Sequence, residues 1–196
     1  MAKILFGISV PKEKSEQQLA KGINKYELEE FDHYSVSEEG FKAYIKTEIQ
    51  TDSDTERGFT ICQPLVFKNG KLVYPAQIKG CSSKGVGLIR QLQDSTAYVL
   101  RDSILIDSLI NTKNILQFDS IQYVQATQGK EFVILLYWAV FAGKLNKNSV
   151  KYPAEVLKRE IDFNNLNAVA FFVNLDIKKG WSFQFKNNGR KVVSRK

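Results

Sequence analysis

The chain has 196 residues, of which 43% are hydrophobic and 25% are charged, and its formal net charge is +7. This composition excludes a disordered, collagen-like or low-complexity chain, and a chain of this length can bury a core without disulfides or a structural metal. The longest apolar run, residues 132–142, is too short to cross a bilayer, and no cleavage site of a signal peptide follows residues 4–10.

One helix is predicted among short strands in the first part of the chain. Ser15 is in position to cap this helix, which we predict to run to Ile23. Runs of apolar and aromatic residues predict strands at 4–10, 26–36 and 41–49.

A β-hairpin follows and has the clearest local signal. Asn69 and Gly70 stand between the apolar runs 65–67 and 72–74, and both residue types tolerate the positive φ angles of a type I′ turn. A proline borders the hairpin on each side. Because proline cannot donate a ladder hydrogen bond, we predict that this hairpin lies at the edge of a sheet.

Further strands and one strong helix are predicted in the second half of the chain. The strands are predicted at 98–106, 115–124, 131–141 and 168–175, and a second hairpin is predicted to join the middle two. The strand at 131–141 is apolar on both faces, so it should be central in the sheet. The helix is predicted at 153–161, where a proline suits the first turn.

These elements predict an α+β fold in which β-structure dominates. We expect a mostly antiparallel sheet built from hairpins, with two or three helices, in one compact domain of residues 1–176. Residues 177–196 are predicted to form a basic C-terminal strand and tail, in which Trp181, Phe183 and Phe185 alternate with polar residues.

The charges of the chain are distributed unevenly. Seven of the 28 basic residues follow Asp176 and none of the 21 acidic residues does, so residues 1–176 have no net charge. The seven are Lys178, Lys179, Lys186, Arg190, Lys191, Arg195 and Lys196. Ten carboxylates gather in the segment 27–56. The basic residues therefore have three interpretations: they bind phosphates or another anionic surface, they meet the acidic segment of the same or a second copy, or they form a solvated terminus.

The leading interpretation is a non-enzymatic binding or assembly module without a cofactor. Its basic residues would dock on nucleic acid or on the acidic surface of another subunit, for example in a phage or virus particle. Trp181 and Phe183 are candidate anchors, although the same alternation is typical of a strand that faces a core or an interface. We expect a location in the cytoplasm or in a virion, assembly that can include homo-oligomers, and no membrane insertion.

An enzymatic alternative rests on Asp162, Asp176 and Lys178. Their order and spacing resemble those of metal-dependent nucleases of the PD-(D/E)xK type, in which two carboxylates hold Mg²⁺ and a lysine helps to orient or activate the attacking water. The resemblance implies a Mg²⁺ site at Asp162 and Asp176.

A second resemblance covers residues 129–139 and the chain from there to Asp176. The apolar strand, the helix after it and the following strand resemble the first half of a thioredoxin-like domain. Residues 141–145 stand at the redox positions and contain no cysteine, which excludes thiol chemistry there. The second half of such a domain, with its proline-bearing strand, has no room after Asp176.

His33 is the only histidine of the chain, so a histidine-centred metal site or a Ser-His-Asp triad would have to use it. The favoured interpretation is a surface or half-buried histidine without such a role. Cys62 and Cys81 are expected to be free thiols.

Overall fold

A six-stranded mixed sheet forms the centre of the protein. The computed structural model describes residues 13–42, 64–76, 84–105, 120–143, 146, 150–185 and 192–194. The strands of the sheet are β1 (Asp32–Ser35), β2 (Leu65–Lys68), β3 (Lys71–Pro75), β4 (Tyr98–Leu105), β5 (Phe132–Trp138) and β6 (Ala168–Asn174). Their spatial order is β1-β6-β5-β2-β3-β4, and a separate two-stranded sheet consists of β7 (Phe183–Phe185) and β8 (Val192–Ser194).

The pairing of the strands corrects the expectation of a mostly antiparallel sheet. β1, β6 and β5 run parallel to one another, whereas β2, β3 and β4 continue the sheet by antiparallel pairing. The pair β5–β6 is parallel because the chain returns across the sheet through a helix between these two strands. The broader α+β class agrees with the prediction.

Four α-helices accompany the sheet in the part of the chain that the structure describes, which is more than the two or three that we predicted. They are α1 (Glu16–Lys25), α2 (Lys84–Arg90), α3 (Ser120–Thr127) and α4 (Tyr152–Asp162). Residues 38–42 are also helical up to the end of that described range, and Val140–Ala142 form a 3-10 turn.

Several elements with strong local signals are confirmed. The side chain of Ser15 accepts a hydrogen bond from the amide of Gln18, and the Gln18 side chain accepts one from the amide of Ser15, which caps α1. Asn69 and Gly70 have φ angles of 49° and 80° in the turn between β2 and β3. β5 is central, and all seven of its residues are buried.

The position of the β2–β3 hairpin corrects another prediction. The hairpin lies inside the sheet, because β2 also pairs with β5 and β3 also pairs with β4. The flanking prolines do not prevent this, since Pro64 precedes β2 and Pro75 is the last residue of β3. Neither proline belongs to the residues that pair β2 with β3, which are Phe67 with Leu72 and Lys68 with Lys71.

Two predicted strands contain helical residues. Residues 120–127 form α3 and not a strand, so the predicted second hairpin does not form. Residues 41–42 belong to a helical turn, although a strand was predicted to start at 41. The predicted strand at 4–10, the remainder of the one at 41–49, and both cysteines lie outside the described residues.

The segment on which the thioredoxin-like resemblance depends has the predicted strand–helix–strand order, and the resemblance to that family stays a prediction. β5, α4 and β6 form the expected strand–helix–strand unit, with the two strands parallel. The strand on the other side of β5 comes from earlier in the chain. Pro64 directly precedes β2, which pairs with β5 on the side away from β6.

The two faces of the sheet carry separate hydrophobic cores. On one face, Trp138 and Phe172 pack with apolar residues of α2 and α4 and with the region of α1. On the other face, Phe171 packs with residues that include Phe41 and Trp181. This second core holds the start of the C-terminal segment against the sheet.

Candidate functional site

The residues that we call the basic unit, 177–196, begin directly at the end of the sheet. Ile177 is only 2% exposed, and its carbonyl accepts a hydrogen bond of 2.8 Å from the amide of Lys14. Lys14 and Lys178 also form an isolated parallel bridge. A turn follows at Gly180, whose φ of 96° is a conformation that glycine adopts without strain. The first basic side chains therefore project from a fixed backbone.

Trp181 belongs to the core and does not stand at the surface. Its side chain is 9% exposed, and its ring lies against Phe41 with a centroid distance of 5.6 Å. A buried ring cannot stack on a base, so in this arrangement Trp181 anchors the basic unit to its own domain. Phe183 is the first residue of β7, and its side chain lies outside the described part of the structure.

Glu38 forms hydrogen bonds with Ser182, the residue of the basic unit that follows Trp181. Both carboxylate oxygens of Glu38 accept a hydrogen bond from the amide of Ser182 at 3.0 Å, and the Ser182 hydroxyl also donates to the carboxylate. The Lys42 ammonium lies 2.8 Å from the same carboxylate. Lys42, together with Ser182, lowers the pKa of Glu38 to about 2.

This contact gives a testable pH dependence. Because the pKa of Glu38 is lowered from 4.5, the contact contributes its full stability above pH 4.5 and loses it progressively as the pH falls toward about 2. We expect the Ser182 amide resonance to keep its position from neutral pH down to pH 4.5 and to shift below it. In the Glu38→Gln variant this acid shift should be absent; an identical shift in that variant would contradict the assignment.

The remaining basic residues flank the two strands of the small sheet in the sequence. β7 and β8 pair antiparallel, with Phe183 opposite Ser194 and Phe185 opposite Val192. Lys186, Arg190 and Lys191 belong to the segment that connects the two strands, and Arg195 and Lys196 follow β8. These five residues lie outside the described residues.

The described basic residues of the unit are not neutralised by described carboxylates. Lys179 is exposed and Lys178 is half-buried, and neither forms a salt bridge with a carboxylate in the described ranges. Two carboxylates of the acidic segment pair with other lysines. Glu27 pairs with Lys151 and Glu30 pairs with Lys158, both in the region of α4.

The structure does not bring together the two carboxylates of the nuclease alternative. Asp162 is the exposed last residue of α4 and precedes β6, whereas Asp176 follows the opposite end of this strand. A seven-residue strand spans about 20 Å, so the two side chains cannot share one Mg²⁺ ion. Among the described residues, no three His, Cys, Asp or Glu side chains gather as a cation site requires.

The contacts of Asp176 instead indicate a structural role. It is 1% exposed and accepts hydrogen bonds from the amides of Val140 and Phe141 and from the side chain of Asn174. Burial raises the pKa of the Asp176 carboxyl, and these three donors act in the opposite direction. The carboxylate thus fixes the 3-10 turn after β5 to the end of β6.

Sequence reasoning missed the residues that hold the basic unit in place, Lys14 and Glu38. Both contacts join the C-terminal end of the chain to its N-terminal part, and no local pattern contains such a signal.

No helix in the described ranges has the length and apolar character that crossing a membrane requires. The comparisons found no matching family model, curated protein or solved structure for this chain.

Proposed function

We propose that the protein is a non-enzymatic binding module that docks on an anionic partner through the seven basic residues of the basic unit. The observation that carries the proposal is that the described lysines of this unit are not paired with described carboxylates. Lys178 and Lys179 have no carboxylate partner among the described residues, while Glu27, Glu30 and Glu38 are occupied by other groups.

The attachment of the basic unit supports a docking role. Its first residues are held by the Lys14 amide, the Glu38 carboxylate and the packing of Trp181. A surface that is fixed before binding loses less conformational entropy on binding than a free tail does. Lys178 and Lys179, at the start of the unit, can therefore present their charges in a defined direction relative to the domain.

The chemistry of the unit favours electrostatic contact without base reading. Five of its seven basic residues are lysines, which act as point charges, whereas bidentate contacts to base edges or phosphates favour arginine. The burial of Trp181 removes one ring that could stack on bases. The partner chemistry is thus a dense row of negative charges, supplied by the backbone of nucleic acid or by the acidic surface of another subunit.

The first experiment measures binding of the full chain to labelled single-stranded and duplex oligonucleotides at several salt concentrations. Each phosphate contact contributes a slope of about −0.7 to −0.9 to the dependence of log K on log salt. We expect little preference for sequence and a steep salt dependence. Replacing all seven basic residues by glutamine should remove most of the affinity.

A matched pair of variants tests the position of the contact. Lys178→Gln/Lys179→Gln and Lys71→Gln/Lys130→Gln each remove two positive charges, but Lys71 and Lys130 lie at the opposite end of β5. The first variant should weaken the salt slope by about 1.5 and the affinity about tenfold. The second should leave both nearly unchanged; equal losses in both variants would mean that only the net charge matters.

The second experiment addresses the protein partner. If no oligonucleotide binds, static light scattering measures whether the chain associates with itself and whether added salt reverses the association. Self-association that is lost in the variant with seven glutamines supports docking on an acidic surface of a second copy. The proposal is overturned if the chain neither binds nucleic acid nor associates with itself through these residues.

A further inference from the structure

The half-buried side chain of His33 lies against Trp138 and Phe172 of the first core, away from the basic unit. Its ring lies 6.3 Å from the ring of Trp138 and 5.9 Å from that of Phe172, measured between centroids. His33 belongs to β1, which is an end strand of the six-stranded sheet and pairs with β6 through four residues.

Hydrogen bonding determines which nitrogen of this ring carries the proton. Nε2 of His33 lies 2.6 Å from the carbonyl oxygen of Leu28. Since a carbonyl can only accept a hydrogen bond, Nε2 carries the proton in the neutral ring and Nδ1 keeps its lone pair. Nδ1 is buried and has no hydrogen-bond partner in the part of the chain that the structure describes.

A second proton on the ring would therefore be placed at an unfavourable position. It would create a buried N–H group at Nδ1 without an acceptor among the described residues. The neighbouring Trp138 cannot help, because its Nε1 is also a donor, also buried and also without a partner in the described residues. Burying a charged donor without an acceptor is costly, whereas a solvated imidazolium is not.

Burial disfavours protonation of the ring, and the charged groups near the ring oppose this only in part. Asp32 and Glu29, both from the segment that contains His33, raise the pKa of the imidazole, as does the Leu28 carbonyl. From β5 and β6 the described rings that face it are those of Trp138 and Phe172, which carry no charge. Burial is the largest influence and leaves the pKa of His33 below 6.5.

We propose that His33 is a pH-sensitive latch, which holds β1 on the sheet while it is neutral and releases this strand when it is protonated. At neutral pH the ring fills the apolar site and donates to Leu28. We call the form with β1 on the sheet closed and the form with β1 released open. In mild acid the proton binds more tightly to the open form, because the ring is solvated there. The stability of the closed form is therefore complete above pH 6.5 and falls as the pH decreases below it.

The single histidine allows a direct test. The imidazole resonances of the intact protein should titrate with a midpoint below 6.5. In a Trp181→Phe background Trp138 is the only tryptophan, and its selectively excited emission should change with the same midpoint as its surroundings become wetter. Hydrogen exchange of the β1 amides should accelerate in acid relative to that of the β5 amides.

The control variant is His33→Gln, whose side-chain amide can still donate to Leu28 but does not titrate. In this variant the acid-induced change of Trp138 emission and of β1 exchange should be absent. The proposal is overturned if the imidazole of the intact protein titrates at 6.5 or above, a measurement that needs no variant. It is also overturned if His33→Gln folds and shows the same acid transition.

Discussion

Replacement of Asp176 by alanine is expected to lower the free energy of unfolding by about 3–5 kcal/mol. The carboxylate is buried and accepts hydrogen bonds from Val140 N at 2.6 Å, from Phe141 N at 3.3 Å and from Asn174 Nδ2 at 2.9 Å. Alanine leaves these three donors without an acceptor beside a position that is 1% exposed. Urea unfolding of the two proteins at neutral pH measures the difference.

The controls separate this loss from a general effect of removing a carboxylate. Asp162→Ala removes an exposed carboxylate at the end of α4 and should change the stability by no more than about 0.5 kcal/mol. Asp176→Asn keeps one acceptor oxygen and should fall between the two. A loss at Asp176 no larger than that at Asp162 would show that the buried carboxylate does not hold the 3-10 turn.

The same residue gives a pH dependence opposite in sign to that of His33. Burial raises the pKa of Asp176 in the folded state above 3.8, so the folded chain binds this proton more tightly than the unfolded chain does. The cost of burying the charge is therefore relieved as the pH falls through the folded-state pKa. Relative to Asp176→Asn, which cannot titrate, the natural protein should gain stability in acid. The contribution of His33 to the pH dependence cancels in this comparison, because both proteins contain it.

Elements whose causes are local were predictable from the sequence. The cap of α1 depends on residues three positions apart, and the β2–β3 turn depends on the adjacent pair Asn69 and Gly70. The continuous apolar run of β5 indicates burial on both faces wherever the strand pairs. Each of these signals is complete within a few residues.

Elements that depend on distant partners were not predictable in this way. α3 contains residues with strand propensity, but Tyr123 and Ala126, three positions apart, pack against the second core. Tertiary packing of one helix face overrides the weak local preference. The pairing of β2 with β5 likewise joins segments that are far apart in the sequence, so the central position of the hairpin has no local signal.

In the candidate site, too, local properties were predictable from the sequence and properties that depend on distant partners were not. The excess of positive charge after Asp176 is a property of the sequence, and its position could be read directly. The burial of Trp181 could not, because it depends on Phe41 and on the turn at Gly180. The separation of Asp162 from Asp176 follows from the length and direction of β6, which their spacing in the sequence does not encode.

Substitution of Gly22 is the second change for which we expect a large effect, because Gly22 is buried in α1 against Trp138 of the sheet. A β-carbon at Gly22 would lie 2.9 Å from Cζ3 of Trp138 and 3.1 Å from Cγ2 of Val140. The indole ring cannot easily move, since it is 1% exposed and packs against Tyr26 and His33. The added carbon must therefore displace α1 from the first core.

We expect Gly22→Ala to lower the free energy of unfolding by about 1–2 kcal/mol, because overpacking exceeds the gain of about 1 kcal/mol in helix propensity. Gly22→Val adds two more carbons at the same place and should cost about 3 kcal/mol or more. Gly87 in α2 provides the matched control, since a β-carbon there meets no atom within 4 Å. Gly87→Ala should stabilise the protein by about 0.5–1 kcal/mol, so the same chemical change is expected to have opposite signs at the two glycines. Thermal and urea unfolding of the three variants measures these differences, and a stabilising Gly22→Ala would mean that α1 does not lie against Trp138 as the structure describes.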